Sequence, residues 1–323
     1  LQVAGEGDDS LTELERLPPG AKVLFRGQEP ADFDTEQGNE ALRKANVLLN
    51  CTGDKAILST LWDKLPALKW LHSRSAGVDR FLFPELCTSD VPVTNARGVF
   101  SSSLAEYTML GCMYFSKDVD RWKNSQKEHK WDRFVVGELR GQTLGIIGYG
   151  SIGESVAKLA KAFGMKVLAQ RRRPELCKDD ALVDEAFGSD QVAEVISRSD
   201  FICVAAALTP ETKGMLGRKE LEAALPHAIL VNIGRGALID EEALIDALRS
   251  KKLRGAALDV FTTEPLPASS PLWDLPNVLI SSHNADITAT FQHDSVRKFV
   301  DAVQPFMEGK AVDLHSVDKH AGY

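Results

Sequence analysis

Six short apolar runs crowd the stretch from 143 to 283: "TLGIIGYG", "MKVLAQ", "DFICVAAAL", "AILVNIG", "GAALDVF" and "NVLISSH". Most are continuous rather than alternating, which suits strands covered by helices on both faces of a parallel sheet. The intervals between them read as helices. In "ESVAKLAKAF", residues Val156, Leu159, Ala160 and Phe163 recur at helical spacing and predict one apolar face. "DEEALIDALRS" opens on Asp240, Glu241 and Glu242 and closes near Arg249, the charge order that a helix dipole favours. This alternation predicts an α/β fold with a doubly wound parallel sheet.

The first hundred residues repeat the pattern more faintly. "KVLF" (22–25), "NVLLN" (46–50), "KWLHS" (69–73) and "VPVTN" (91–95) are separated by helix-like or Pro/Gly-rich stretches and predict a second βα-type sheet. Ser103 and Glu106 form an S-x-x-E capping-box pattern. It is expected to open a long linker helix over 101–131. A length of 323 residues suits two domains.

Acidic residues outnumber basic ones 46 to 38, for a net charge of -8. That balance argues against nucleic-acid and anionic-membrane partners, which call for a basic surface. No apolar run approaches the ~18 residues of a membrane span. Five cysteines at irregular spacing, with no C-x-x-C pair, predict reduced thiols, no metal site and an intracellular, soluble protein, cytoplasmic or organellar. The sequence begins at Leu1, so the translated start is expected to lie elsewhere.

Gly148-Tyr149-Gly150-Ser151-Ile152-Gly153 is a G-x-G-x-x-G between the first strong strand and the amphipathic helix. Gly148 serves the tight turn, Gly150 lets backbone approach a pyrophosphate, and Gly153 lets helix and strand pack closely. The helix N-terminus beyond favours anions. About 20 residues on, such a motif usually carries an acid for the adenine ribose hydroxyls. Here Gln170 ends the next strand, and Arg171, Arg172 and Arg173 follow. Guanidinium groups pair with a 2′-phosphate, so the triplet predicts NADP over NAD, with NAD still possible.

Arg235, Glu264 and His283 each follow an apolar run and so belong at the carboxyl edge of the sheet, where ligands of open α/β sheets collect. Together they make coherent chemistry. A histidine can give a proton to a ketone that receives a hydride. A carboxylate beside it orients the ring and stabilises its charged form. An arginine clamps a substrate carboxylate and polarises the adjacent carbonyl.

With these residues in place the chain resembles the D-isomer-specific 2-hydroxyacid dehydrogenases, a group that includes glyoxylate/hydroxypyruvate reductases and phosphoglycerate dehydrogenases. The resemblance runs through "SRSAGVDRF", "TNARG", "LAEYTML", "LRGQTLGIIGYGSIG", "LTPETKGML", "VNIGRGALIDEEALIDAL", "ALDVFTTEPLPASSPLWDLPNV" and "ISSHNA". It implies that Arg235 binds substrate, that Glu264 partners His283, and that His283 is the general acid/base. It implies that the backbone of Ala76, Gly77 and Val78 holds the substrate carboxylate. Asp259 would bind the nicotinamide carboxamide, with Ile233 nearby. A cofactor domain (102–287) would be inserted into a flavodoxin-like substrate domain (1–101 and 288–323), in a homodimer.

Three positions depart from the family pattern: Ser282 and Ala207, where proline is common, and Gln170, where NAD-using members carry an acid. Glu264 argues against a formate-oxidising relative, which has glutamine there. The resulting expectation is reduction of a small 2-ketoacid, glyoxylate or hydroxypyruvate, with NADPH. Two other readings stand beside it: a dinucleotide-sensing corepressor or scaffold of the same fold, and an NAD-dependent dehydrogenase of another hydroxyacid.

Overall fold

The computed structural model describes residues 9–52, 55–310 and 316–323. The chain divides into two compact units, Leu1–Phe100 with Thr288–Tyr323, and Ser101–Ile287.

Among the described residues the first unit is built on a parallel sheet of three strands, β1 (Val47–Asn50), β2 (Trp70–Ser73) and β3 (Val93–Asn95), in the order β1-β2-β3. Leu48, Leu71 and Val93 stand side by side across it and share a core with Leu58, Leu61, Phe81 and Leu86. A second cluster joins Trp70 to Val296, Phe299, Val300 and Val303 of the helix Phe291–Met307. Arg297 Nη2 donates to Glu13 at 2.8 Å, and His293 Nε2 pairs with Asp9 at 2.8 Å, so the last helix grips the turn Ser10–Arg16. "KVLF" forms no strand. Val23 and Leu24 are exposed, and Phe25 alone spends its apolar surface, against Phe33 at a centroid distance of 5.0 Å.

The second unit contains seven parallel strands: β4 (Thr143–Ile147), β5 (Lys166–Gln170), β6 (Glu185–Phe187), β7 (Phe201–Val204), β8 (Ile229–Asn232), β9 (Gly255–Leu258) and β10 (Val278–Ile280). Their order is β10-β9-β8-β7-β4-β5-β6. The chain winds outward from β4 in both directions, so a crevice opens at the carboxyl ends of β4 and its neighbours. β6 was not expected: it is a three-residue edge strand in which only Phe187 is buried, too short to show as an apolar run.

The stretch 101–131 differs from its expectation in three ways. It is two helices, Ser101–Lys117 and Val119–Lys127, broken at Asp118, whose φ is +52°. The first helix covers the sheet instead of linking units: a Cβ on Gly111 would lie 2.9 Å from Ala257 and 3.1 Å from Val231. Ser103 caps nothing, because the helix has already begun at Ser101 and the Ser103 hydroxyl donates to the Ala285 carbonyl. The face of the helix Ser151–Ala162 is also shifted. Gly153, Val156, Ala157 and Ala160 are buried, while Phe163, just past the helix end, is exposed. Trp70 is core, whereas Trp131 is 91 % exposed.

Candidate active site

The glycine loop is shaped by close backbone approaches. Gly148 has φ +93°, and a Cβ there would stand 2.3 Å from the Ala206 backbone, so only glycine fits. A Cβ on Gly153 would meet Ile146 at 3.1 Å and the Gly148 carbonyl at 3.2 Å. At Gly150 the same construction meets nothing within 4 Å. The loop is therefore packed tightly at its ends and open in the middle, where the helix Ser151–Ala162 presents its first backbone N–H groups, Ser151 and Ile152 among them. These residues fit a dinucleotide pyrophosphate.

Gln170 faces inward. Its Oε1 accepts from Gly148 N at 3.2 Å and its Nε2 donates to Gly188 O at 3.4 Å, so it pins the loop to the end of β5. Arg171 is half-buried, with Nη1 3.9 Å from Cys177 Sγ, while Arg172 and Arg173 are exposed. Tyr149, inside the motif, donates to Asp180 at 2.7 Å and fastens the loop to the segment beyond the arginines.

At the other side of the sheet, His283 Nδ1 lies 2.8 Å from Glu264 Oε2. Glu264 Oε1 accepts from Phe261 N at 2.9 Å, which orients the carboxylate. An acceptor facing Nδ1 places the ring proton there in the neutral form, leaving Nε2 as the atom that can exchange a proton with a ligand. His283 has φ +50°, a conformation that side-chain-bearing residues adopt at a cost. Its backbone N–H donates to Asp259 O at 2.8 Å, which holds it there.

Asp259 is 1 % exposed and organises the whole turn. Its Oδ1 accepts from Ser281 Oγ at 2.6 Å, Asn284 N at 3.0 Å and Ala285 N at 3.2 Å. Ser281 Oγ also lies 2.8 Å from Tyr107 Oη. With the serine proton given to the carboxylate, the tyrosine donates to the serine. The position implied for the nicotinamide carboxamide thus serves first as the hub of the histidine loop. Ile233 is buried at the end of β8, and its N–H donates to Val204 O at 3.1 Å. Ser282 and Ala207 are exposed.

Arg235 is half-buried, and its Nη1 donates to Gly234 O at 2.9 Å. Asn232 shapes its turn, accepting from Gly234 N and donating to Arg235 O, both at 3.1 Å. A Cβ on Gly236 would fall 1.9 Å from the Phe261 carbonyl carbon, so the arginine loop lies directly on the backbone that orients Glu264. Asp286 went unnoticed in the sequence. Burial raises its carboxyl pKa and Asp259 adds to the rise, while the charges of His283 and Arg235 oppose it. Its spacing of three from His283 was visible, but its burial was not.

Ala76, Gly77 and Val78 lie in the first unit, in the loop after β2. Ala76 O accepts from Asn95 Nδ2 at 2.6 Å, and Val78 O accepts from Phe81 N at 3.1 Å. Among the described residues, no group of three or more His, Cys, Asp or Glu could hold a metal ion, and no helix is long and apolar enough to cross a membrane.

Residues 109–285 match the family model "D-isomer specific 2-hydroxyacid dehydrogenase, NAD binding domain". The chain belongs to the D-isomer specific 2-hydroxyacid dehydrogenases, NAD(P)-dependent oxidoreductases. It is 35% identical over 279 residues to a D-3-phosphoglycerate dehydrogenase of Methanocaldococcus jannaschii, covering 85% of this chain and 52% of that one. The 2-hydroxyacid dehydrogenase chain thus spans about half the length of that relative. It is 33% identical over 262 residues to a glyoxylate reductase of Thermococcus litoralis, covering 77% and 76% of the two chains. Among solved structures it is similar to an NADPH-dependent glyoxylate/hydroxypyruvate reductase of Sinorhizobium meliloti in complex with NADP and sulfate. That similarity has a TM-score of 0.74 at 26% identity, over 97% of this chain and 95% of that one.

Proposed function

We propose that this 2-hydroxyacid dehydrogenase reduces a small 2-ketoacid, glyoxylate or hydroxypyruvate, with NADPH as its preferred cofactor. The observation that carries the reading is the pair His283 Nδ1 and Glu264 Oε2 at 2.8 Å, an oriented proton donor on the same sheet edge as the glycine loop. The nicotinamide, when bound, supplies the hydride. His283 Nε2 gives its proton to the ketone oxygen as that oxygen gains charge, and Glu264 stabilises the imidazolium before transfer. Arg235 holds the substrate carboxylate and polarises the carbonyl, with the backbone of Ala76, Gly77 and Val78 as a further carboxylate anchor. Gly148, Gly150, Ser151, Ile152 and Gly153 cradle the pyrophosphate. Ile233 and Asp259 flank the nicotinamide.

NADPH preference rests on Arg171, Arg172 and Arg173 standing where the ribose-binding acid is absent. The NADP in the Sinorhizobium structure supports it. A homodimer is part of the proposal, with Trp122, Trp131 and Val135, all strongly exposed, on its contact surface. The test is to convert the three arginines together to glutamine. The Michaelis constant for NADPH should rise ~10–150-fold, the worth of a charge-assisted contact, with little change for NADH. Equal effects on both cofactors would overturn the assignment.

A further inference from the structure

The helix Ser101–Lys117 carries Ser103, Tyr107 and Gly111 at spacings of four, on one face. The roles assigned so far leave all three unused. Gly111 sets the height of that face. A Cβ there would lie 2.9 Å from Ala257 of β9 and 3.1 Å from Val231 of β8, so the helix backbone presses on the sheet. Two further contacts fix it. Thr108 Oγ1 lies 3.7 Å from Cys203 Sγ of β7, and Arg254 Nη2, just before β9, donates to Phe115 O at 2.7 Å. The helix is thus bolted to the sheet over its middle and last turns, and its first two turns reach the histidine turn.

There Ser103 and Tyr107 take hold of the chain on either side of His283. The Ser103 hydroxyl donates to Ala285 O, two residues past the histidine. Tyr107 Oη donates to Ser281 Oγ at 2.8 Å, two residues before it. Ser281 Oγ donates onward to Asp259 Oδ1 at 2.6 Å, and that carboxylate accepts from Asn284 N and Ala285 N. Tyr107 is half-buried, and burial pushes its phenol up to about 12, so it keeps the proton it donates. The histidine needs such a grip. Its φ of +50° is a conformation that persists where the surroundings over-determine it. The bonds to Asp259 close the turn upon the end of β9, and the bonds to Ser103 and Tyr107 tie it to a second element.

We propose that Tyr107 and Ser103 are positioning residues for the reduction: they hold the His283 turn against the helix Ser101–Lys117 and so keep Nε2 aimed at the substrate carbonyl. This rests on the reading that His283 is the proton donor. Tyr107 acts through Ser281 and Asp259, and Ser103 acts through the Ala285 carbonyl.

The test uses the full chain with NADPH and hydroxypyruvate, beside Tyr107→Phe, Ser103→Ala, Ser281→Ala and the double variant Tyr107→Phe/Ser281→Ala. Tyr107→Phe removes one oxygen and keeps the ring. It should lower kcat about tenfold, within the ~10²-fold that a misplacement of about 1 Å can cost. KM for NADPH should hold, and the solvent deuterium isotope effect on kcat should rise as proton transfer becomes the slow step. Ser103→Thr, which keeps a hydroxyl, should restore what Ser103→Ala loses. The double variant should be no slower than Ser281→Ala, since the tyrosine acts through the serine. Losses that multiply in the double variant, or a kcat and isotope effect that do not move in Tyr107→Phe, would overturn the proposal. Turnover that survives in His283→Ala would remove the proton donor and the positioning role with it. A readout without turnover is the Nδ1 proton of His283 in protein labelled with nitrogen-15 histidine, assigned by its absence in His283→Ala. It should exchange with water faster in Tyr107→Phe and Ser103→Ala. Faster exchange upholds the grip where hydroxypyruvate is not the substrate, and equal exchange in all the proteins refutes it.

Discussion

The two flanks of the seven-stranded sheet prepare for ligands in opposite ways. At the ends of β4 and β5, the open groups are backbone N–H donors and mostly exposed arginines, and the close packing is done by Gln170, Gly148 and Gly153. At the ends of β9 and β10, each side chain given a role in the proposal has a partner: Glu264 for His283, Phe261 N for Glu264, and a set of loop donors for Asp259. A phosphate is charged before it binds and can draw mobile guanidinium groups to itself. A proton transfer needs its donor already in place, because a misplaced atom costs rate directly. The flank proposed for the cofactor can therefore stay loose where the flank proposed for the reaction cannot.

Substitutions on the two flanks should accordingly fail differently. His283→Ala should lower kcat by ~10²–10⁴-fold, the usual worth of a general acid, while NADPH binding followed by fluorescence stays unchanged. A matched loss of cofactor binding would mean that the flanks are not separable. Gly236→Ala should come next: its Cβ would fall 1.9 Å from the Phe261 carbonyl carbon, and backbone cannot yield as a side chain can. Soluble yield and activity should drop together, whereas Gly150→Ala, whose Cβ meets nothing within 4 Å, should fold and weaken cofactor binding alone. Asp259→Asn should cost about 1.5–3 kcal/mol of stability through weakened charge-assisted bonds to Ser281, Asn284 and Ala285. Thermal unfolding with and without NADP checks this, and an unchanged midpoint would remove Asp259 as the hub.

A last effect lies in the first unit and serves as a control outside both flanks. Burial, aided by the charge of Lys298, lowers the His72 pKa from the usual 6.5 to about 3. The folded state then stays neutral while the unfolded state takes up a proton below pH 6.5. His72 thus contributes stability that is full above pH 6.5 and is lost as pH falls toward 3, at up to ~1.4 kcal/mol per pH unit. His72→Gln should flatten that slope in denaturant melts between pH 7.5 and 5. An identical slope would assign the dependence to other groups.

The parts legible in the sequence are those in which one residue type has one physical use. The continuous apolar runs became parallel strands, and Gly148 sits at the positive φ that its turn requires. Arg235, Glu264 and His283 were placed on one sheet edge by the ends of their runs, but nothing in a spacing of 19 residues dictates a 2.8 Å contact. That needed the resemblance. Other features depended on loop conformation or tertiary partners, which local pattern does not carry. Asp259 gathers donors 22 to 26 residues away, Asp286 is half-buried by its neighbours, and Gln170 turns inward to bond Gly148. Among the described residues no strand pairs with "KVLF", and the helix break at Asp118 carries no proline or glycine to announce it.

The most direct test of the proposed reductase compares initial rates of NADPH and NADH consumption at matched concentrations, with hydroxypyruvate and then glyoxylate, for the unaltered chain and for His283→Ala. Fast oxidation of NADPH, slower oxidation of NADH and loss of both in the variant are the expected results. Rates with NADH equal to or above those with NADPH would contradict the role given to Arg171, Arg172 and Arg173. Turnover that survives in His283→Ala would contradict the proton donor itself.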